Sequence, residues 1–199
     1  METPVAAAST DEIYERYLQK AISEINELGH EIGRAGDATH VPVLGSGHPL
    51  ADVFLLKHSP KASEIQEGVA FFGRAGEALK KSLQRLRVDA MAVYGTNCLK
   101  FGGETFDEAA PWLTRELHIV QPKLLVLMGE PTVEFVNALR FPLADEIDST
   151  AGGPQRFTAT IEALVTPDID TALDEAPAKT AFWNAFKAVG SWYAELPPY

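Results

Sequence analysis

The chain has 199 residues, 46% of them hydrophobic and 23% charged, values that exclude wholesale disorder and suit one folded domain with an ample core. Its 28 acidic and 17 basic residues leave a net charge of −11. This excludes a general nucleic-acid binder, which carries a basic footprint that displaces counterions from phosphates, but leaves open contact through one small basic patch. The single cysteine, Cys98, rules out an intrachain disulfide and a four-cysteine zinc or iron–sulfur site. No run approaches the roughly 18 apolar residues of a membrane span, and Met1–Thr10 lacks the positive start and apolar stretch of a leader, so a cytoplasmic protein away from membranes is expected.

Residues 11–33 are expected to form an amphipathic helix, because Ile13, Tyr17, Ala21, Ile25, Leu28 and Ile32 recur at spacings of three and four. Ser9 and Glu12 have the form of a capping box, and Gly33 and Gly36 end the element. A loop follows over 40–50, marked by Pro42, Gly45, Gly47 and Pro49. The apolar run 52–56 reads as a buried strand that ends in the polar turn Lys57-His58-Ser59-Pro60-Lys61. Residues 74–87 read as a helix with Leu79, Leu83 and Leu86 inward, 90–96 as a strand ending at Asn97, about 106–120 as a helix and 123–128 as a third strand. Pro131 starts another helix, 161–165 is a weaker fourth strand ending at Thr166-Pro167-Asp168, and Pro177 opens a last helix carrying Phe182, Phe186, Val189 and Trp192 on one face.

Continuously apolar strands alternating with helices predict an α/β fold, a three-layer α/β/α sandwich around a short, mainly parallel sheet of about four strands. The whole chain, 1–199, is expected to be one domain: an N-terminal helix over 11–33, a core over 44–170 and a C-terminal helix over 177–195. In such folds ligands bind outside the carboxyl ends of the strands, which directs attention to 57–61, 97–103, 129–131 and 166–170. His58 lies there and, neutral at physiological pH, suits a general base or a nucleophile; the alternative is a surface turn histidine. Asn97 also ends a strand, where it serves a pocket or caps a turn. Lys57, Lys61 and Lys100 are candidates for neutralising phosphates. Thr166 and Asp168 are candidates for contact with a nucleic-acid backbone or a water, with capping of the next turn as the alternative for Asp168. Glu64 and Glu67 are expected to be solvated in a loop, and Cys98 to be a packed thiol. His30, His40, His48 and His118 show no metal-ligand spacing, so neither a metal nor another cofactor is expected.

The stretch Gly45-Ser46-Gly47, Ala51-Asp52-Val53, Ser59-Pro60-Lys61 and Gly68-Val69-Ala70-Phe71-Phe72-Gly73-Arg74-Ala75-Gly76 resembles the first motif of the uracil-DNA glycosylase superfamily. The similarity is greatest to the bacterial and archaeal iron–sulfur-type enzymes. Thr96-Asn97-Cys98-Leu99-Lys100 is similar to that family's Thr-Asn-Val-Val-Lys, and Pro111-Trp112-Leu113 with Gln121 to Gly129 is similar to its third helix–strand unit. The resemblance covers about 44–170. It implies that Phe71 stacks on a base, that Asn97 pairs with the base's polar edge through an amide carrying both donor and acceptor, and that the backbone of Ser59, Pro60 and Lys61 lines the pocket. Departures from the motifs are specific. The family's glutamate falls on His58, its two flanking glycines on Lys57 and Lys61, and its closing His-Pro-Ser on Thr166-Pro167-Asp168. Two cluster cysteines fall on Phe101 and Ala109, and the N-terminal pair is missing.

The resemblance implies a glycosylase that hydrolyses the N-glycosidic bond of uracil or a related deaminated base in DNA, with His58 and Asn97 as the catalytic pair. Two other readings stand beside it: a non-catalytic relative that binds a nucleobase or DNA, and a hydrolase of free nucleosides or nucleotides. A monomer is expected. Charge is unevenly spread: residues 57–100 hold eight bases against four acids, whereas 141–178 hold eight acids against Arg156 alone. Any DNA binding is therefore expected to be weak and steeply salt-dependent.

Overall fold

Ser9 and Glu12 close a reciprocal cap at the start of the first helix: the Ser9 hydroxyl accepts from the Glu12 N–H (3.2 Å) and the Glu12 carboxylate from the Ser9 N–H (2.9 Å). In the computed structural model, which describes residues 9–36 and 40–197, this helix (α1) spans Thr10–Ala35. The leader expectation falls mostly on residues 1–8 and lies outside the described residues. The chain continues through β1 (Ser46–Gly47), β2 (Val53–Lys57), α2 (Ala62–Glu67), α3 (Arg74–Arg85), β3 (Val93–Asn97), α4 (Phe106–Val120) and β4 (Leu124–Met128). Then follow α5 (Glu130–Ala138), β5 (Gln155–Arg156), β6 (Glu162–Thr166), α6 (Ile169–Asp174) and α7 (Ala176–Ala194).

The sheet has six strands, not four, in the order β1-β3-β2-β4-β6-β5. The four expected strands are its parallel centre, and β1 and β5 are two-residue antiparallel edges. A two-residue strand has no hydrophobic period, so neither edge announces itself. The six-residue helices α2 and α6 escape for the same reason, and the stretch containing Glu64 is helical where a loop was expected.

Alternation along the strands divides the core in two. Val53, Leu55, Leu124, Val126, Met128 and Leu164 face α3, α6 and α7, where they meet Leu79, Leu83, Ile169, Phe182 and Phe186. Phe54, Leu56, Tyr94, Leu125, Leu127 and Ala163 face α4 and α5, where they meet Leu113, Leu117, Val133 and Val136. Helix α1 packs outside α4 and is tied to it by the Arg115–Glu31 ion pair. The result is the expected α/β/α sandwich with one extra helix on one side.

Register brings the functional ends into line. Lys57 pairs with Asn97 on one side and with Met128 on the other, and Met128 pairs with Thr166. Asn97, Lys57, Met128 and Thr166 thus form one row across the carboxyl edge of the sheet, and parity directs all four side chains to the α3/α6/α7 face.

Candidate active site

Phe71 closes over this row. It packs on β3 where Gly95 leaves room: a Cβ at Gly95 would lie 2.9 Å from the Phe71 ring. Its backbone is left-handed (φ 60°), rare for a residue with a bulky side chain, and the chain fixes it from two directions. The Phe71 N–H donates to Glu64, and the Phe71 carbonyl lies against Gly76, where a Cβ would come within 2.2 Å of it. Phe71 is buried, with 8% exposure, and Phe72 beside it is 48% exposed.

The side chain of Asn97 is fully buried, and neither its amide nitrogen nor its amide oxygen has a hydrogen-bond partner. Such a group costs about 1–3 kcal/mol unless something completes it, and this one lies at the carboxyl edge of a parallel sheet, where folds of this class bind ligands. The backbone of Asn97 is held from the other face of the sheet. Lys100, fully buried, donates to the Asn97 carbonyl (2.8 Å), the Thr96 hydroxyl (2.6 Å) and the Glu116 carboxylate (2.5 Å). Tyr94 adds a donor to Glu116 at 3.0 Å. Burial, and then the charge of Glu116, push the Tyr94 phenol well above its ordinary pKa.

Lys57 is likewise inside the protein. Its ammonium donates to Glu64 (2.6 Å) and to Asp170 (2.8 Å) and stands 5.6 Å from the centre of the Phe71 ring. Glu64 also accepts from the Lys61 N–H (2.6 Å). Two expectations are corrected here: Lys57 and Lys100 do not face solvent as phosphate contacts but are paired with carboxylates inside the fold, and Glu64 is buried rather than solvated. The reason is strand parity and the turn after β3, which carry both lysines inward. Lys61 is exposed and remains open to a phosphate.

His58 and Ser59 sit on the rim. His58 is half-buried, its Nδ1 lies 2.7 Å from the exposed Ser59 hydroxyl, and its ring stands edge-on to Phe135 of α5 at 6.1 Å. Burial pushes its pKa below the ordinary value, against an opposing pull from Glu134, so it is neutral at pH 7. His58 thus leans to the α5 side while Asn97 faces the α3 side: the two share a strand edge but do not touch. Pro60 is half-buried in the same turn. Thr166 is buried and donates to the Pro167 carbonyl at 3.1 Å, and Asp168 caps α6 by accepting from the Thr171 N–H at 2.8 Å. Both are engaged within the fold; burial removes Thr166 from direct contact with a DNA backbone.

Glu64, Asp170 and Glu116 were missed by sequence reasoning. A signal existed for the first two: Lys57 shares parity with Val53 and Leu55, so its charge needs an internal partner. No four-thiolate cluster fits this chain. Cys98 is its one cysteine, Phe101 fills the space beside Gly36, where a Cβ would lie 2.7 Å from its ring, and Ala109 is core. Cys98 is itself buried, and burial pushes its thiol far up. Among the described residues no group of three or more His, Cys, Asp and Glu could hold a metal ion, and no helix is long and apolar enough to cross a membrane.

The uracil DNA glycosylase superfamily profile matches residues 44–188, which contain every residue of this site. The chain is similar to the type-4 uracil-DNA glycosylase of Archaeoglobus fulgidus, 26% identical over 78% of this chain and 84% of that protein. It is 26% identical to the enzymes of the same name from Pyrobaculum aerophilum, over 55% of this chain and 60% of that one, and from Sulfurisphaera tokodaii, over 47% of each. The last two matches span about half of the relatives' lengths. The order of motifs, the parallel centre of the sheet and the length of the match lead to one conclusion: the chain belongs to the uracil DNA glycosylase superfamily.

Proposed function

We propose that the chain is a DNA N-glycosylase that hydrolyses the bond between deoxyribose and uracil, or a related deaminated base. The observation that carries this reading is the Asn97 amide, buried and unpaired beside the Phe71 ring. A base flipped from the stack would lie against Phe71 and complete both hydrogen bonds of Asn97. Because Asn97 is sealed from solvent, entry of the base displaces the atoms covering it.

Cleavage breaks the bond between C1′ and the base nitrogen, and the electron pair leaves with the base. Water adds to C1′, and its proton passes to a base at the rim. In this reading the sugar lies over the strand ends, and neutral His58 accepts that proton through Nε2 while Nδ1 is oriented by Ser59. Hydrogen bonds aimed at the leaving base stabilise its developing negative charge. Lys61 is the phosphate contact of the first turn. A cytoplasmic monomer acting on DNA completes the proposal.

A second reading, a module that binds a base without turnover, is favoured by Thr166 and Asp168, which are committed to the fold rather than presented to a substrate. The test is release of free uracil from uracil-containing single- and double-stranded oligonucleotides, compared with His58→Ala/Asn97→Ala. Release by the wild type alone supports hydrolysis. Binding of uracil without release supports the second reading, and cleavage of a mononucleoside but not an oligonucleotide would move the substrate to free nucleosides.

A further inference from the structure

We infer that Lys57 is a specificity-determining residue of the base pocket: its ammonium turns the Asn97 amide and supplies a second donor, so that the pocket selects an imide edge. The inference rests on the base-binding reading above and says which edge is read.

Lys57 and Asn97 are register partners on adjacent parallel strands, with both side chains on the same face of the sheet. An ammonium has three hydrogens. Two go to Glu64 and Asp170, and no acceptor among the described residues takes the third. Beside it stand the unpaired amide of Asn97 and, 5.6 Å from the nitrogen, the centre of the Phe71 ring. Aromatic ring, amide and spare N–H therefore lie on one face of the sheet, packed in the interior with the ammonium over the ring. The two carboxylates hold the ammonium in place, so this donor is preorganised. Among the described residues no hydrogen bond orients the amide.

The amide alone is ambiguous. With the oxygen in one position it accepts from the N3–H of uracil and donates to O4; flipped, it donates to N3 of cytosine and accepts from its amino group. The spare N–H of the ammonium breaks the tie, because a donor favours the amide oxygen over the amide nitrogen as its neighbour. The pocket then presents donor, acceptor, donor in a row: Asn97 Nδ2, Asn97 Oδ1 and Lys57 Nζ. That row complements the O4, N3–H and O2 of uracil. Cytosine would bring its bare N3 against the amide oxygen. The same N–H lies at O2 when negative charge develops there as the base departs.

The experiment compares three free bases on the intact protein by ligand-observed NMR: uracil, cytosine and 4(3H)-pyrimidinone, which keeps one carbonyl and the N–H of uracil but lacks the second carbonyl. A hydrogen bond to a charged donor makes uracil bind about 10- to 100-fold tighter than 4(3H)-pyrimidinone, with cytosine weaker than uracil. Lys57→Met is expected to erase the difference between uracil and 4(3H)-pyrimidinone. Since Met deprives Glu64 and Asp170 of their counter-ion, Lys57→Met/Glu64→Gln is measured beside it. Equal binding of uracil and 4(3H)-pyrimidinone by the wild type overturns the role of Lys57 and leaves the base-binding reading standing. Undiminished discrimination in either variant does the same. Failure of all three bases to bind the wild type overturns both.

Discussion

The ammonium of Lys100 lies 2.8 Å from the carbonyl oxygen of Asn97, so a cation on one face of the sheet holds the backbone of the residue whose side chain serves the other face. All three of its N–H groups are used, by Asn97, Thr96 and Glu116, which makes the turn after β3 a rigid platform. The site is thus supported by two buried cations, Lys57 on the α3 side and Lys100 on the α4 side, each matched to glutamate.

Breaking the Lys100 pair separates stability from positioning. Lys100→Met strands the Glu116 carboxylate and is expected to cost about 3–5 kcal/mol of unfolding free energy. Lys100→Met/Glu116→Gln removes the stranded charge and is expected to recover much of that loss. Uracil release is expected to stay low in the double variant, because the Asn97 carbonyl has still lost its donor. Urea denaturation and oligonucleotide cleavage, run on both variants, check this; full recovery of cleavage together with stability would leave Lys100 a purely structural role.

Two glycines set the place of Phe71, and each fails differently on substitution. Gly95→Ala drives a methyl to 2.9 Å from the Phe71 ring, so the ring must move away from the sheet. A loss of about 1–3 kcal/mol is expected, with a larger proportional loss of uracil release. Gly76→Ala drives a methyl to 2.2 Å from the Phe71 carbonyl, which is backbone and cannot swing aside. It is expected to destabilise more than Gly95→Ala, as read by the midpoint of urea unfolding.

The pH dependence follows from His58. Burial holds its folded pKa below the ordinary 6.5, and Glu134 opposes that shift. Around pH 6.5 the unfolded chain therefore binds more protons at this residue than the folded one. The contribution of His58 to stability is complete above pH 6.5 and is lost as the pH falls toward its folded pKa. With neutral His58 as the base, the acid limb of kcat/KM is expected below pH 6.5. Glu134→Gln removes the pull that raises the pKa and is expected to move that limb to still lower pH. A limb that moves upward, or survives His58→Gln unchanged, contradicts His58 as the base.

Much of this fold is legible in the sequence. Runs such as Leu124–Met128, apolar on every position, announce buried parallel strands because water is excluded from both faces. The cap of α1 and the proline that opens α5 are legible because they depend on neighbours in the chain. The order of motifs singles out Phe71 and Asn97; register places Asn97 at the sheet's carboxyl edge, and packing against Gly95 places Phe71. What stayed hidden depends on residues far apart in sequence. Asp170 reaches Lys57 across 113 positions, and no local pattern foretells that contact. Lys57 could have been read from parity with Val53 and Leu55, but a lysine ending a strand beside a polar turn looks like surface. Lys100 offers no such pattern, since it lies in a turn whose path is set by Glu104 and Glu116.

The unpaired amide of Asn97 is the centre of the functional reading, and Asn97→Leu tests it most directly because leucine has nearly the same size and no polar group. Thermal unfolding and uracil release are measured on the same preparation. A buried amide without a partner costs about 1–3 kcal/mol, so the expected result is a Tm equal to or above that of the wild type together with loss of uracil release. A variant that still releases uracil at the wild-type rate, or that is strongly destabilised, would contradict the assignment of Asn97 as a residue kept for a ligand rather than for the fold.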